Sequence, residues 1–198
     1  TVSGAGQTLT VASAFGTNRL KSTLSTAGGA ILFSGNTTLI EDVMVDTTDG
    51  GNVPAGANVT TGAVSAENGT SQERLTVNAG TGGDVSIAGL GSSPGLVVTD
   101  ADDIILTGGS SASSIDIQGS STFQAASTLT LSGNAQITAD TGPTSIQFGG
   151  QVNVNGNNLQ LTAGADIAFG ASVRSIGISN STVEIRGITD ATTFSLGD

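Results

Sequence analysis

The stretch Leu159-Gln-Leu-Thr-Ala-Gly-Ala-Asp-Ile-Ala-Phe169 holds two short apolar alternations, Leu159-x-Leu161 and Ile167-x-Phe169, with Gly164 and Asp166 between them. Alternation with period 2 puts both apolar members of a run on one face of a strand. Gly and Asp supply the backbone conformations that turn the chain between strands. The same grammar runs through the whole chain. Before this stretch come Leu9-x-Val11, Ile31-x-Phe33, Val43-x-Val45, Leu75-x-Val77 and Val85-x-Ile87. Ile104-x-Leu106, Ile115-x-Ile117, Leu129-x-Leu131, Ile146-x-Phe148 and Val152-x-Val154 follow, and Ile176-x-Ile178, Val183-x-Ile185 and Phe194-x-Leu196 close the series. Each run offers only two inward positions, and Gly, Asn, Asp or Ser comes next.

Helical signals are nearly absent. In Phe15 to Ala27, Leu20 and Leu24 lie four apart and Arg19 and Lys21 fall outside their stripe, as a short helix would have it. The competing readings are a polar loop and a strand capping a stack.

The apolar ticks also recur at long range. Leu39 matches Leu131 and Val45 matches Ile137, both at offset 92. Val53 matches Ile146 and Val59 matches Val152 at offset 93. Leu75 and Val77 match Leu159 and Leu161 at offset 84, and Leu96 and Val98 match Ile176 and Ile178 at offset 80. This reads as an internal duplication, about residues 36–109 and 128–187, within a single domain spanning 1–198. The longer loop of the first copy is expected at Gly62 to Arg74, inside a coil rather than as a linker.

Short strands at this spacing fit a β-sandwich or a β-solenoid. The inward residues are small aliphatics suited to a narrow bore, and aromatics make up 3% of the chain, all of them Phe. The ticks run on without the long connections of a Greek key. The expected fold is therefore all-β: one elongated β-solenoid, with the right-handed parallel β-helix as its preferred form. A sandwich would instead show antiparallel pairing between neighbouring strands. A duplicated unit would hold three or four coils of roughly 20 to 30 residues.

Charge narrows the function. Sixteen acids face five bases (Arg19, Lys21, Arg74, Arg174 and Arg186), for a net charge of −11. A surface this poor in cations cannot neutralise a phosphate backbone, which argues against nucleic acid. It would also be repelled by anionic membranes and attract divalent cations. No apolar run approaches the length of a membrane-spanning helix. There is no cysteine, which is unremarkable in a cytosolic protein and in an exported one avoids disulfide errors. The opening at Thr1, in mid-pattern and without a signal peptide, reads as a processed form or an excised segment.

Two passages carry a family resemblance. One is Asn36-TTLIEDVMVDTTDGGNV-Pro54 with Glu73-RLTVNAGTGGDVSIAG-Leu90; the other is Ser127-TLTLSGNAQITADTG-Pro143 with Asn157-NLQLTAGADIAFGAS-Val173. The recurrent "LTL-turn-x-I" and "LTAGxDIxF" phrases resemble the β-strand repeats of filamentous-haemagglutinin-like bacterial exoproteins, over about residues 35–187. The resemblance implies a right-handed parallel β-helix, a secreted or cell-surface location, and an adhesive or scaffolding role. The amino-terminal secretion domain of that family is not recognisable in the chain.

Catalytic chemistry is sparse. His, Cys, Tyr and Trp are all missing, which removes the common general bases, thiol nucleophiles and sugar-stacking platforms. Carboxylates remain. Asp100, Asp102 and Asp103 form the densest acidic cluster, a candidate calcium site or acid/base pair, with a turn as the plainer reading. Asp46 and Asp49 bracket a second turn before Gly50-Gly51. Gly80-TGGDVSI-Ala88 has the wrong glycine spacing for a calcium nonapeptide. Four Asn-x-Ser/Thr triplets begin at Asn36, Asn58, Asn68 and Asn180, a number chance supplies in a chain rich in Asn and Thr. Thr8-x-Thr10 has no in-register continuation, which argues against an ice-binding face.

The expected function is a stiff segment or subunit of a bacterial surface fibre or adhesin, with no catalysis and no cofactor other than a candidate calcium. Expected partners are a second copy, docked head to tail, and a host surface, abiotic surface or glycan. The alternative is a carbohydrate-active β-helix. That reading needs carboxylates converging in a groove beside Arg74, Arg174 or Arg186.

Overall fold

The computed structural model describes residues 5–68, 73–140, 144–174, 181–187 and 194–196. Among them every regular element is a strand, and the strands form three parallel sheets stacked as a β-solenoid of about seven turns. The first sheet has nine strands: Leu9–Leu20, Ile31–Leu39, Val59–Ala66, Val85–Gly91, Asp103–Leu106, Thr122–Ala125, Thr144–Phe148, Asp166–Phe169 and Phe194–Leu196. The second has eight: Leu24–Ser25, Val43–Asp46, Arg74–Asn78, Gly95–Asp100, Ser114–Ile117, Ala135–Ala139, Leu159–Ala163 and Val183–Gly187. The third has four: Ser110–Ala112, Leu129–Leu131, Val152–Asn153 and Val173–Arg174. All strand pairing is parallel, so the sandwich alternative falls; an isolated bridge between Ala27 and Thr48 is antiparallel.

The alternating pairs do what their spacing dictates. Leu9, Ile31, Val59, Val85, Ile104, Phe123, Ile146 and Ile167 stand above one another in register down the first sheet. In the second sheet Leu24, Val45, Val77, Val98, Ile117, Ile137, Leu161 and Ile185 form a matching column. Interior members of these columns are essentially inaccessible to water. Full burial of one such aliphatic side chain contributes about 1.5–3 kcal/mol. Parallel sheets usually read as continuous apolar runs because helices cover their outer faces. Among the described residues no helix does so here, and the outward positions are mostly polar, with Leu32 and Met44 as exposed apolar exceptions.

The coil is the repeat that the pairing establishes. Leu75 pairs with Leu96 and Leu96 with Ile115, steps of 21 and 19 residues. Val43 to Leu75 is a longer step of 32. Some long-range matches share a column: Val45 with Ile137, and Val77 with Leu161. Others do not. Val53 lies half-buried in the connection 47–58, whereas Ile146 is a fully buried strand residue. Val59 is in the first sheet and Val152 in the third. The expected loop from Gly62 to Arg74 is also narrower, since Gly62 to Ala66 and Arg74 are strand residues. The long insertion of this region is 47–58. The partners Ile176 and Ile178 lie outside the described residues.

Phe15 to Ala27 is not a helix. Leu20 faces the core and pairs with Leu39, Leu24 pairs with Val45, and a corner separates them. The strand reading holds, in the first coil of the stack. Where the register shifts within the strands Leu9–Leu20 and Ile31–Leu39, the backbones approach so closely that a Cβ on Gly35, at φ +103°, would lie 2.6 Å from the Gly16 carbonyl oxygen. Glycine is the residue that meets both demands. No helix among the described residues is long and apolar enough to cross a membrane.

Candidate functional site

The acidic cluster forms a corner between the second and first sheets. Asp100 ends the strand Gly95–Asp100, Ala101 turns inward and is buried, and Asp103 begins Asp103–Leu106. The backbone there is fully engaged with its neighbours. Ala79 N donates to Asp100 O at 2.9 Å, Ala101 N to Gly119 O at 3.2 Å and Asp102 N to Gly83 O at 2.8 Å. Asp102 O accepts from Ser121 N at 2.7 Å. Asp103 Oδ1 accepts the Thr122 hydroxyl at 2.7 Å, tying its carboxylate to the next coil. Asp100 also lines a shallow cleft of about 190 Å³ with Thr81, Ser120, Ser121 and Asp140.

Calcium needs six to eight oxygens around one point. Among the described residues, no group of three or more acidic, His or Cys side chains is placed to hold a metal ion. Asp100, Asp102 and Asp103 thus share a corner without forming such a group.

The second acidic turn closes on itself. Asp46 is 5% exposed. Its Oδ1 accepts Thr48 N at 2.8 Å and the Thr48 hydroxyl at 2.6 Å, while Oδ2 accepts Gly50 N at 2.8 Å. This is the turn-closing role of a short acidic side chain. Thr47 pins the far end of the same connection: its hydroxyl accepts Ala57 N at 2.9 Å and reaches the Ala57 and Ala79 carbonyls, both at 3.0 Å. Asp49 and Gly50, both at positive φ, complete the turn.

The arginines do not gather at either corner. Arg74 meets Asp42 at 3.4 Å, Arg186 meets Glu184 on its own strand at 2.7 Å, and Arg19 meets Glu67. All three pairs have substantial solvent exposure, where ion pairing contributes about 0–1 kcal/mol. The Arg174 side chain lies outside the described residues.

Three of the glycosylation triplets are occupied by structural bonds, that of Asn68 through Glu73 Oε1 at 2.8 Å. Asn58 Nδ2 donates to Asp84 Oδ2 at 3.2 Å and its Oδ1 accepts Asp84 N at 3.0 Å. Asn36 Oδ1 accepts Ala63 N at 3.1 Å.

Sequence reasoning missed three features. Thr37 and Thr61 are buried inside the bore with hydroxyls 3.1 Å apart. Glu73 is 5% exposed; its Oε1 accepts Asn68 Nδ2 at 2.8 Å, and its Oε2 has no hydrogen-bond partner among the described residues. The third is the first coil, where the half-buried Leu9, Val11 and Leu24 pack on the core from one side. Only the last had a signal in the sequence, namely apolar pairs at one end of a repetitive pattern. Set against protein-family models, curated proteins and solved structures, the chain finds no match.

Proposed function

We propose that this chain is a stiff segment or subunit of a bacterial surface fibre or adhesin, secreted and held outside the cell. The supporting observation is the uninterrupted nine-stranded first sheet, whose register passes from Leu9 to Phe194 coil by coil. Such a stack resists bending because every coil is hydrogen-bonded to the next along the axis. Its working surface is the set of outward polar columns, in which Gln124 Nε2 donates to Gln147 Oε1 at 3.2 Å. The repeat grammar shared with filamentous-haemagglutinin-like exoproteins points the same way. Beads coated with the chain test this against glycan, matrix-protein and abiotic surfaces. An assay for new reducing ends or unsaturated sugar products runs on the same glycans. Retention without turnover supports the adhesive reading; turnover of any glycan replaces it with the carbohydrate-active one.

A further inference from the structure

Asparagine side chains are put to structural use almost everywhere in this chain. Among the described residues every asparagine but one holds a side-chain hydrogen bond. Asn157 Nδ2, for instance, donates to the Leu131 carbonyl at 3.2 Å and the Val154 carbonyl at 3.0 Å, and Asn134 Oδ1 accepts Asn158 N at 3.0 Å. The exception is Asn155, whose side chain has no hydrogen-bond partner among the described residues. It sits in the turn from Val154 to Asn157, closed by Asn157 N donating to Val154 O at 2.8 Å. Asn155 has φ +46° and Gly156 has φ +83°. Asn-Gly tolerates positive φ at both positions, which accounts for the backbone here and leaves the amide idle.

The next main-chain nitrogen is idle too. Gly156 N donates to nothing among the described residues. Elsewhere the nitrogen that follows such a side chain is tied down: Gly50 N after Asp49 by Asp46 Oδ2, Ala135 N after Asn134 by Asn158 O, and Leu159 N after Asn158 by Thr182 O. Asn155 and Gly156 are both half-buried, so water reaches them. Glycine carries no Cβ to hinder its own nitrogen.

We infer that Asn155 and Gly156 form a site of spontaneous covalent modification, deamidation through a succinimide. Hydroxide takes the proton of Gly156 N, and the nitrogen attacks Asn155 Cγ. The new bond from nitrogen to Cγ replaces the bond from Cγ to Nδ2, and the side-chain nitrogen leaves as ammonia with a proton from water. Water then opens the ring. Addition at Cγ gives aspartate, and addition at the Asn155 main-chain carbonyl carbon gives isoaspartate, with the chain running through Cβ and Cγ. Nothing is oxidised or reduced: amide and water become carboxylate and ammonium. Either product adds a negative charge to a chain already at −11. Isoaspartate also lengthens the connection between Val152–Asn153 and Leu159–Ala163, at the point where Asn157 ties it to Leu131 of the preceding coil. The chain holds its own control, a second Asn-Gly pair at Asn68 and Gly69. The Asn68 amide is not idle, since its Nδ2 donates to the buried Glu73 carboxylate at 2.8 Å.

The test incubates the whole wild-type chain from neutral to mildly alkaline pH and follows each asparagine by peptide mapping with mass spectrometry. Enzymatic methylation of isoaspartyl groups reads the rearranged product, and circular dichroism verifies that the sample stays folded. A parallel incubation in urea removes the folded geometry. In the folded chain Asn155 is the first asparagine converted, and its rate rises with pH. It outpaces Asn68 by on the order of tenfold, the factor that one hydrogen bond to a charged acceptor supplies. In urea the two Asn-Gly pairs react at similar rates, because only sequence then distinguishes them. Asn155→Gln keeps an amide but lengthens its arm, and it abolishes this conversion while leaving the others. A folded chain in which Asn155 stays an amide while the urea sample reacts, or in which Asn68 keeps pace with it, overturns the inference.

Discussion

Phe148 and Phe169 stack with ring centroids 5.2 Å apart and planes 13° from parallel, one directly above the other on successive coils of the first sheet. Phe123 joins from the previous coil, its ring tilted by 58° at 6.0 Å from Phe148. Half of the six phenylalanines in the chain are thus spent on one internal pile, in a bore otherwise filled mainly by aliphatics, with Phe33 buried separately nearer the first coil.

Phe148→Ala removes the middle ring. Phe148 is fully buried, so the loss combines transfer free energy with an unfilled cavity. The expected cost is about 3–5 kcal/mol. Phe148→Leu keeps most of the volume, and its expected cost is under about 1.5 kcal/mol. Urea unfolding of both variants measures the difference, and equal midpoints would contradict the packing described.

Asp46 holds its turn through three accepted hydrogen bonds while almost wholly buried. Asp46→Ala leaves Thr48 N, the Thr48 hydroxyl and Gly50 N without that acceptor. Unsatisfied buried groups cost about 1–3 kcal/mol each when water cannot reach them. Residues 47–58 border solvent, so the expected result is local: faster amide exchange over this connection and unchanged protection at Val77 and Val98. Uniform loss of protection along the stack would show that the turn supports more than itself.

Two glycines of the same connection separate conformation from space. Gly56 and Gly51 both have positive φ, but a Cβ at Gly56 would overlap the Ala79 carbonyl, while one at Gly51 meets nothing within 4 Å. Gly51→Ala should cost about 1–2 kcal/mol, the ordinary penalty for a left-handed non-glycine residue. Gly56→Ala adds a backbone collision and should be clearly the more destabilising. Thermal melts of the two variants decide it.

Stiffness can be measured directly. Thr10 and Ala168 stand in one outward column of the first sheet, joined through Leu32, Thr60, Ser86, Ile105, Gln124 and Gln147. Seven strand spacings separate them, about 34 Å at about 4.8 Å each. The chain has no native cysteine, so Thr10→Cys with Ala168→Cys places two spin labels without background. A single narrow distance distribution near that value is expected. A broad one would mean that the coils bend or part, and the rod reading would fail.

Calcium provides a further check on the Asp100 corner. A cation bound only by the folded state raises its stability by about 2.7 kcal/mol at a hundredfold excess over its dissociation constant. With Asp103 Oδ1 taken by Thr122 and no three-carboxylate group among the described residues, millimolar calcium is expected to leave the melting temperature unchanged. A rise that Asp102→Asn and Asp103→Asn abolish would make these residues ligands.

The inward aliphatic pairs were the legible part of the fold. Leu75 with Val77, Ile115 with Ile117 and Leu159 with Leu161 announce their strands because both inward members are large and apolar. Strands with one weak member stayed quiet. Val59 is followed by inward Thr61, Phe123 by Ala125 and Ala135 by Ile137. The third sheet was harder still, because Ser110–Ala112 buries a serine where neighbouring coils bury leucine or valine. The long-range matching slipped at Val53 for a related reason. A turn residue and a strand residue can both be valine, and only the hydrogen bonds of Thr47 and Asp46 distinguish them. Of the candidate site, the sequence located the acidic corners but not their engagement, since Asp as turn-closer and Asp as ligand look alike until their partners are in place.

The connection 47–58 has one more consequence. It interrupts the chain between Val45 and the next coil, yet Val45 and Val77 remain in register above and below it. A corner of this solenoid is therefore a permissive address. Foreign sequence written there leaves the rows on either side undisturbed, provided its two ends are tied as Asp46 and Thr47 tie these. New recognition loops can be acquired at corners one at a time, by descent or by design, on a shaft that does not have to change.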